Sequence, residues 1–212
     1  MAFEQHAYEP ILSIVFQTNL PLTLVTERYE PFSTVTQHAL QHALAEAGTS
    51  LSQSDISALM QSYDSLSTFP DVAGCLRAVA AAAPDISAVV FSNGTRDMVG
   101  RSVANSPALG PQAHVFADIV TVDDVRRFKP DPDVYRFLCR KVGKEGREGD
   151  VWLVSGNPFD VVGARSVGMN VAWVDRLGLG WVDACVEGEK GRPTVVVKSL
   201  EGVVQAVTSH RT

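Results

Sequence analysis

From residue 85 onward the chain alternates short apolar runs with amphipathic stretches, and that alternation admits few folds. Ile86–Phe91, Asp118–Val122, Val151–Val154, Val171–Val174 and Thr194–Val197 each read as a short strand. Helical patterns separate them. One covers roughly residues 96–104. A second opens at Pro132 and carries Val134, Tyr135, Leu138 and Val142 on one face. A third starts near Asp160 and stops at Gly168, and Leu200–Val207 closes the chain. Proline suits the first turn of a helix and glycine its end. Strands that alternate with helices pair in parallel and are covered on both faces, so the expected class is α/β.

Residues 1–68 read differently, as mostly helical with no convincing parallel strand. Tyr8, Ile11, Leu12, Val15 and Phe16 fall at helical spacing, although Ile11–Phe16 also reads as a short buried strand. Thr34-Val35-Thr36-Gln37 has the form of a capping box, and Gly48 ends the helix it starts. Ser52 or Ser54 begins another, and Phe69-Pro70-Asp71 a third that runs to Ala83. The expected division is a helical region over 1–68 and an α/β core over 69–212.

Composition narrows the function. The 212 residues carry a net charge of -6 without a basic stripe, which argues against nucleic acid as a partner. No apolar run approaches the roughly 18 residues of a membrane span. The N-terminus lacks the charged-then-apolar form of a secretory signal. Cys75, Cys139 and Cys185 are few and far apart, which suggests free thiols and a cytoplasmic setting. His38 and His42 lie four apart, but on a polar face beside Gln37 and Gln41 solvated histidines are the plainer reading, and no metal site is expected. No cofactor requirement is indicated.

Three strand ends present polar residues in order: Ser92-Asn93, then Lys129, then Ser155, Asn157 and Asp160. In open parallel sheets ligands gather at the carboxyl ends of the strands. Hydroxyls and backbone N–H groups at a helix start hold anions, and a lysine adds fixed positive charge. Each residue alone has a simpler reading. Ser92 suits a turn, Lys129 a solvated loop, and Asp160 a helix start stabilised by the dipole.

The motifs around these residues resemble the haloacid dehalogenase superfamily, and within it the type II L-2-haloacid dehalogenases. Phe91-Ser92-Asn93-Gly94 resembles the second family motif, and Phe128-Lys129-Pro130-Asp131-Pro132-Asp133-Val134-Tyr135 the third. Val154-Ser155-Gly156-Asn157-Pro158-Phe159-Asp160 through Arg165 resembles the fourth. Arg28-Tyr29-Glu30-Pro31-Phe32 and the stretch from Tyr63 to Val72 resemble the family's helical cap. The resemblance implies a Rossmann-like parallel sheet with a helical cap over 1–68. It implies catalytic roles for Lys129, Ser155, Asn157 and Asp160, with Ser92, Asn93 and Tyr135 binding a small organic acid or similar anion. It also implies a homodimer through the helical N-terminal region.

One family feature is not matched. Members open with a strand ending in Asp-x-Tyr-Gly-Thr, whose aspartate attacks the halogen-bearing carbon to form an ester. The nearest string here, Val15-Phe16-Gln17-Thr18-Asn19-Leu20, has glutamine at that point. An amide is a far poorer nucleophile than a carboxylate, so carbon–halogen hydrolysis is not expected of this chain as written. The expected outcomes are a repurposed reaction without a nucleophile (isomerisation, cyclisation or proton transfer), a non-catalytic binding or dimerisation protein, or a truncated product of a dehalogenase gene. In the family the opening strand lies mid-sheet, so its neighbours would be left unpaired. Direct pairing of the strands at Ile86 and Val151, or substitution by Ile11–Phe16, is favoured over an open slot.

Overall fold

The computed structural model describes residues 29–65 and 67–210. The N-terminal helical pattern, the Gln17 string and the candidate substitute strand Ile11–Phe16 lie outside them. Two parallel sheets carry the core. In the first, β1 (Ala88–Ser92) pairs with β2 (Phe116–Thr121), placing Val90 opposite Ile119 and Ser92 opposite Thr121. In the second, β3 (Trp152–Ser155), β4 (Asn170–Val174) and β5 (Val195–Val197) run in that order, with Ser155 opposite Trp173 and Trp173 opposite Val196. Both β1 and β2 sit about two residues off the expected spans: Ile86 precedes β1 and packs instead against the cluster around Val174 and Val203.

Direct pairing of β1 with β3 is not found. Among the described residues β1 pairs only with β2, and β3 only with β4. Side chains join the two sheets instead. Tyr135, Leu138 and Cys139 pack with Val120 of β2 and with Leu153, Val171 and Trp173 of the second sheet, and Phe91 of β1 borders the same cluster. Among the described residues, then, the link between the two sheets is side-chain packing.

The helices follow local chemistry. α1 (Phe32–Glu46) starts two residues before the expected capping box. Pro31 occupies the cap with φ -55 and ψ 144, so the expected cap Thr34 falls inside the helix, as does Thr36, whose hydroxyl donates back to the Phe32 carbonyl at 2.7 Å. Gly48, at φ 64, takes the left-handed step after the helix. α2 (Gln53–Ser62) is capped by Ser52, which accepts from the Asp55 N–H. α3 (Val72–Ala81) begins three residues later than Phe69. The preceding Asp71 is occupied elsewhere: Arg176 donates to both its oxygens at 3.0 and 3.1 Å, and the Leu200 N–H donates at 2.8 Å. This ties the start of α3 to the loop after β4 and to the turn before the last helix.

α4 (Arg96–Asn105) is capped by Thr95, and α6 (Pro158–Ser166) and α7 (Val203–His210) flank the second sheet. α5 (Pro132–Lys141) has Asp131 as its cap, Pro132 in the first turn, and Arg140 and Lys141 in the last, where the helix dipole favours cations. Its buried face is Val134, Tyr135, Leu138 and Cys139. The expected residue Val142 falls just past the end, as the C-cap.

Candidate functional site

The loop from β2 delivers Lys129 to the end of β1, and Asn93 receives it. The Lys129 N–H donates to Asn93 Oδ1 at 2.8 Å, and the Asn93 amide returns a long contact to the Lys129 carbonyl at 3.5 Å. Asn93 thus works on the backbone of Lys129, which aims the side chain inward. The ammonium lies 4.7 Å from the centroid of the Phe91 ring, and 3.5 Å from the Phe91 carbonyl. Lys129 is only 8% exposed, so the solvated-loop reading of this lysine fails.

The charge that meets it is Asp160. Lys129 Nζ lies 3.1 Å from Asp160 Oδ2, to which the Ser155 hydroxyl also donates at 3.2 Å. The Tyr135 hydroxyl donates to Oδ1 at 2.7 Å. Asp160 is 3% exposed and stands in the first turn of α6, where the dipole favours an anion. Three side-chain donors thus converge on this one carboxylate. Tyr135 is fully buried, and burial followed by the Asp160 charge pushes its hydroxyl pKa far above the ordinary tyrosine range. It therefore stays a donor. The ring is held edge-on to Phe91 with centroids 5.8 Å apart.

The sequence-derived candidates thus divide into two groups. Lys129, Tyr135, Ser155 and Asp160 form one connected cluster, and Asn93 positions it. Ser92 and Asn157 stand at the margin. Ser92 Oγ accepts from the Gly94 N–H at 3.0 Å, and Ser155 Oγ accepts from the Asn157 N–H at 3.0 Å. Asn157 caps α6 without a side-chain bond of its own to the helix. The donors left for a ligand are the Ser92 hydroxyl proton, the Asn157 carboxamide and the remaining ammonium proton of Lys129. Because Asp160 balances Lys129, the cluster offers directed hydrogen bonds more than net charge.

Sequence reasoning missed Phe91 as a wall of the site and Gly163 as its floor. A Cβ at Gly163 would lie 2.5 Å from the Tyr135 ring and hydroxyl. A glycine inside an otherwise ordinary helix was the available signal. No cluster of three or more His, Cys, Asp or Glu side chains suited to a metal occurs among the described residues. His38 and His42 are exposed, and His42 sits 3.4 Å from Glu46.

Parallel strands feeding their carboxyl ends into one polar centre, with a buried lysine–carboxylate pair at its heart, define an α/β protein with a site at the sheet's carboxyl edge. Comparison with known proteins narrows this. The family model of the haloacid dehalogenase-like hydrolases matches residues 2–168, and the chain belongs to that family. It is 37% identical over 150 residues to an (S)-2-haloacid dehalogenase of Xanthobacter autotrophicus, covering 71% of this chain and 55% of that protein. It is 32% identical over 151 residues to (S)-2-haloacid dehalogenase 1 of Pseudomonas sp. (strain CBS-3), covering 71% and 63%. The chain thus spans less than two thirds of the length of these relatives. The solved L-2-haloacid dehalogenase of Xanthobacter autotrophicus superposes with a TM-score of 0.77 at 29% identity, over 96% of this chain and 89% of that one. A second structure of that enzyme, with chloropropionic acid covalently bound, gives 0.75 at the same identity and coverage. The fold is accordingly that of the haloacid dehalogenases, and among the described residues its parallel strands fall into two separate sheets.

Proposed function

We propose that this chain carries the binding and positioning part of a 2-haloacid site, and that it does not by itself hydrolyse a carbon–halogen bond. The donors at Ser92, Asn157 and Lys129 hold the carboxylate of a small organic acid. Relatives named as 2-haloacid dehalogenases support that substrate class. The negative half rests on Gln17, which stands where the family's nucleophile would be in the nearest matching string, and on Asp160 being unable to replace it. Covalent hydrolysis needs a carboxylate oxygen free to attack carbon. Both Asp160 oxygens are engaged, by Tyr135 on one and by Lys129 and Ser155 on the other, and the group is buried. A carboxylate so stabilised is a weak nucleophile, and its role is to hold Lys129 in place.

A second reading, proton transfer without a covalent intermediate, is favoured by one feature. Tyr135, Asp160 and Lys129 form a continuous run of ionisable groups within hydrogen-bond distance.

Purified protein incubated with L-2-chloropropionate is expected to bind it, measured by calorimetry, and to release chloride no faster than buffer. Lys129→Met and Ser92→Ala should each weaken binding about tenfold, the effect of losing one directed hydrogen bond to a charged ligand. Chloride release that Lys129→Met abolishes would overturn the reading. Deuterium uptake at C2 of the bound acid in heavy water, lost in Lys129→Met, would favour the proton-transfer form.

A further inference from the structure

Three contacts converge on Tyr29, and none belongs to the cluster around Asp160. Its hydroxyl donates to Asp123 Oδ1 at 2.5 Å. Its ring tilts against Phe128 with centroids 5.1 Å apart, and the Arg126 guanidinium lies 5.6 Å from the ring centre. All three partners belong to the loop that runs from the end of β2 to Lys129. Asp123 also accepts from the Arg96 N–H at the start of α4, at 3.2 Å, and lies 3.5 Å from the Thr121 hydroxyl. Arg126 has φ 56, the left-handed value that a residue with a branched-out side chain keeps only where its surroundings hold it. Phe128 is buried, packs edge-on to Phe32 as well, and is followed directly by Lys129.

We infer that Tyr29 is a positioning residue for Lys129. It fastens the 122–128 loop at Asp123, Arg126 and Phe128, and so fixes the point at which Lys129 enters the site. Asn93 then holds the lysine backbone from the other side. Tyr29 is suited to this. Burial first, and the bond to Asp123 next, push its hydroxyl pKa above the ordinary range, so it remains a donor at neutral pH. The alternative of a mere packing residue does not account for a hydroxyl aimed at a carboxylate that also holds the start of α4.

The inference rests on Lys129 belonging to the proposed site, but its test needs no substrate. The full chain is labelled with trace acetic anhydride and the acetylation rate of each lysine is read by mass spectrometry. Tyr29→Phe removes only the hydroxyl. Lys129 should then label about fivefold faster, the factor carried by one ordinary hydrogen bond. The exposed Lys198 and the alkylation rate of the buried Cys139 should not change. Equal Lys129 rates in the two proteins would overturn the inference. So would a rise in Cys139 alkylation in step with Lys129, since Tyr29 would then act through overall stability alone. If Lys129 responds as expected while Lys129→Met still binds 2-chloropropionate normally, the positioning role stands and the functional reading fails.

Discussion

Replacing Gly163 with alanine should destabilise this protein, although an argument from the helix alone says the opposite. Gly163 lies inside α6, where alanine is favoured over glycine by about 1 kcal/mol. The added Cβ, however, would meet Tyr135 Cε2 and Oη at 2.5 Å and Cζ at 2.6 Å, well inside contact distance. Tyr135 is fully buried, with its ring edge-on to Phe91. Forcing extra volume into a packed core costs about 1–3 kcal/mol. Moving the Tyr135 hydroxyl off Asp160 forfeits a hydrogen bond to a charged acceptor, about 1.5–3 kcal/mol more. The losses outweigh the helix gain and leave a net destabilisation of about 1.5–5 kcal/mol. Urea unfolding followed by tryptophan fluorescence should show a midpoint lowered by roughly 1 M. Gly100→Ala is the matched control. It sits inside α4, and a Cβ there meets nothing within 4 Å, so the midpoint should rise by the propensity term alone. A Gly163→Ala midpoint equal to or above the wild type would refute the reasoning, because the Tyr135 contact would then not be rigid.

Two further outcomes follow from the same geometry. Lys129→Met strands the Asp160 charge with two donors, and should cost about 3–5 kcal/mol in urea unfolding, as is usual when one partner of a buried pair is removed. The double change Lys129→Met with Asp160→Asn should cost less than the two single changes added together, because it leaves no unpaired charge. Stability should also fall on the alkaline side. Burial raises the Cys139 thiol from 9.0 to about 11, so the folded protein keeps the neutral thiol while the unfolded chain ionises. Its contribution is complete below about pH 9 and is lost as pH rises towards 11. Cys139→Ala should lower stability at neutral pH through lost packing, yet flatten that alkaline loss in thermal melts taken across the range.

Local chemistry was legible because it is written in neighbouring residues. Pro132 after Asp131, Ser52 before Asp55 and Gly48 after Ala47 each satisfy or end backbone hydrogen bonds within one turn, so the helices stand close to where the pattern places them. Expected boundaries failed where a distant group intervened. Asp71 is drawn to Arg176 and to the Leu200 N–H, more than a hundred positions away.

The sequence by itself determined the parallel α/β class and the order of the strand ends that carry Ser92, Asn93, Lys129, Ser155, Asn157 and Asp160, whereas Tyr135 entered only through the family resemblance. Apolar periodicity and turn residues encode those facts locally. Only the tertiary structure decided that Lys129 is buried and paired, that both Asp160 oxygens accept hydrogen bonds, and that side chains rather than backbone join the two sheets among the described residues. The reason is physical. Whether a charge faces water or another charge depends on residues 31 positions away for Lys129 and Asp160, and 94 away for Tyr29 and Asp123. No local pattern carries that information.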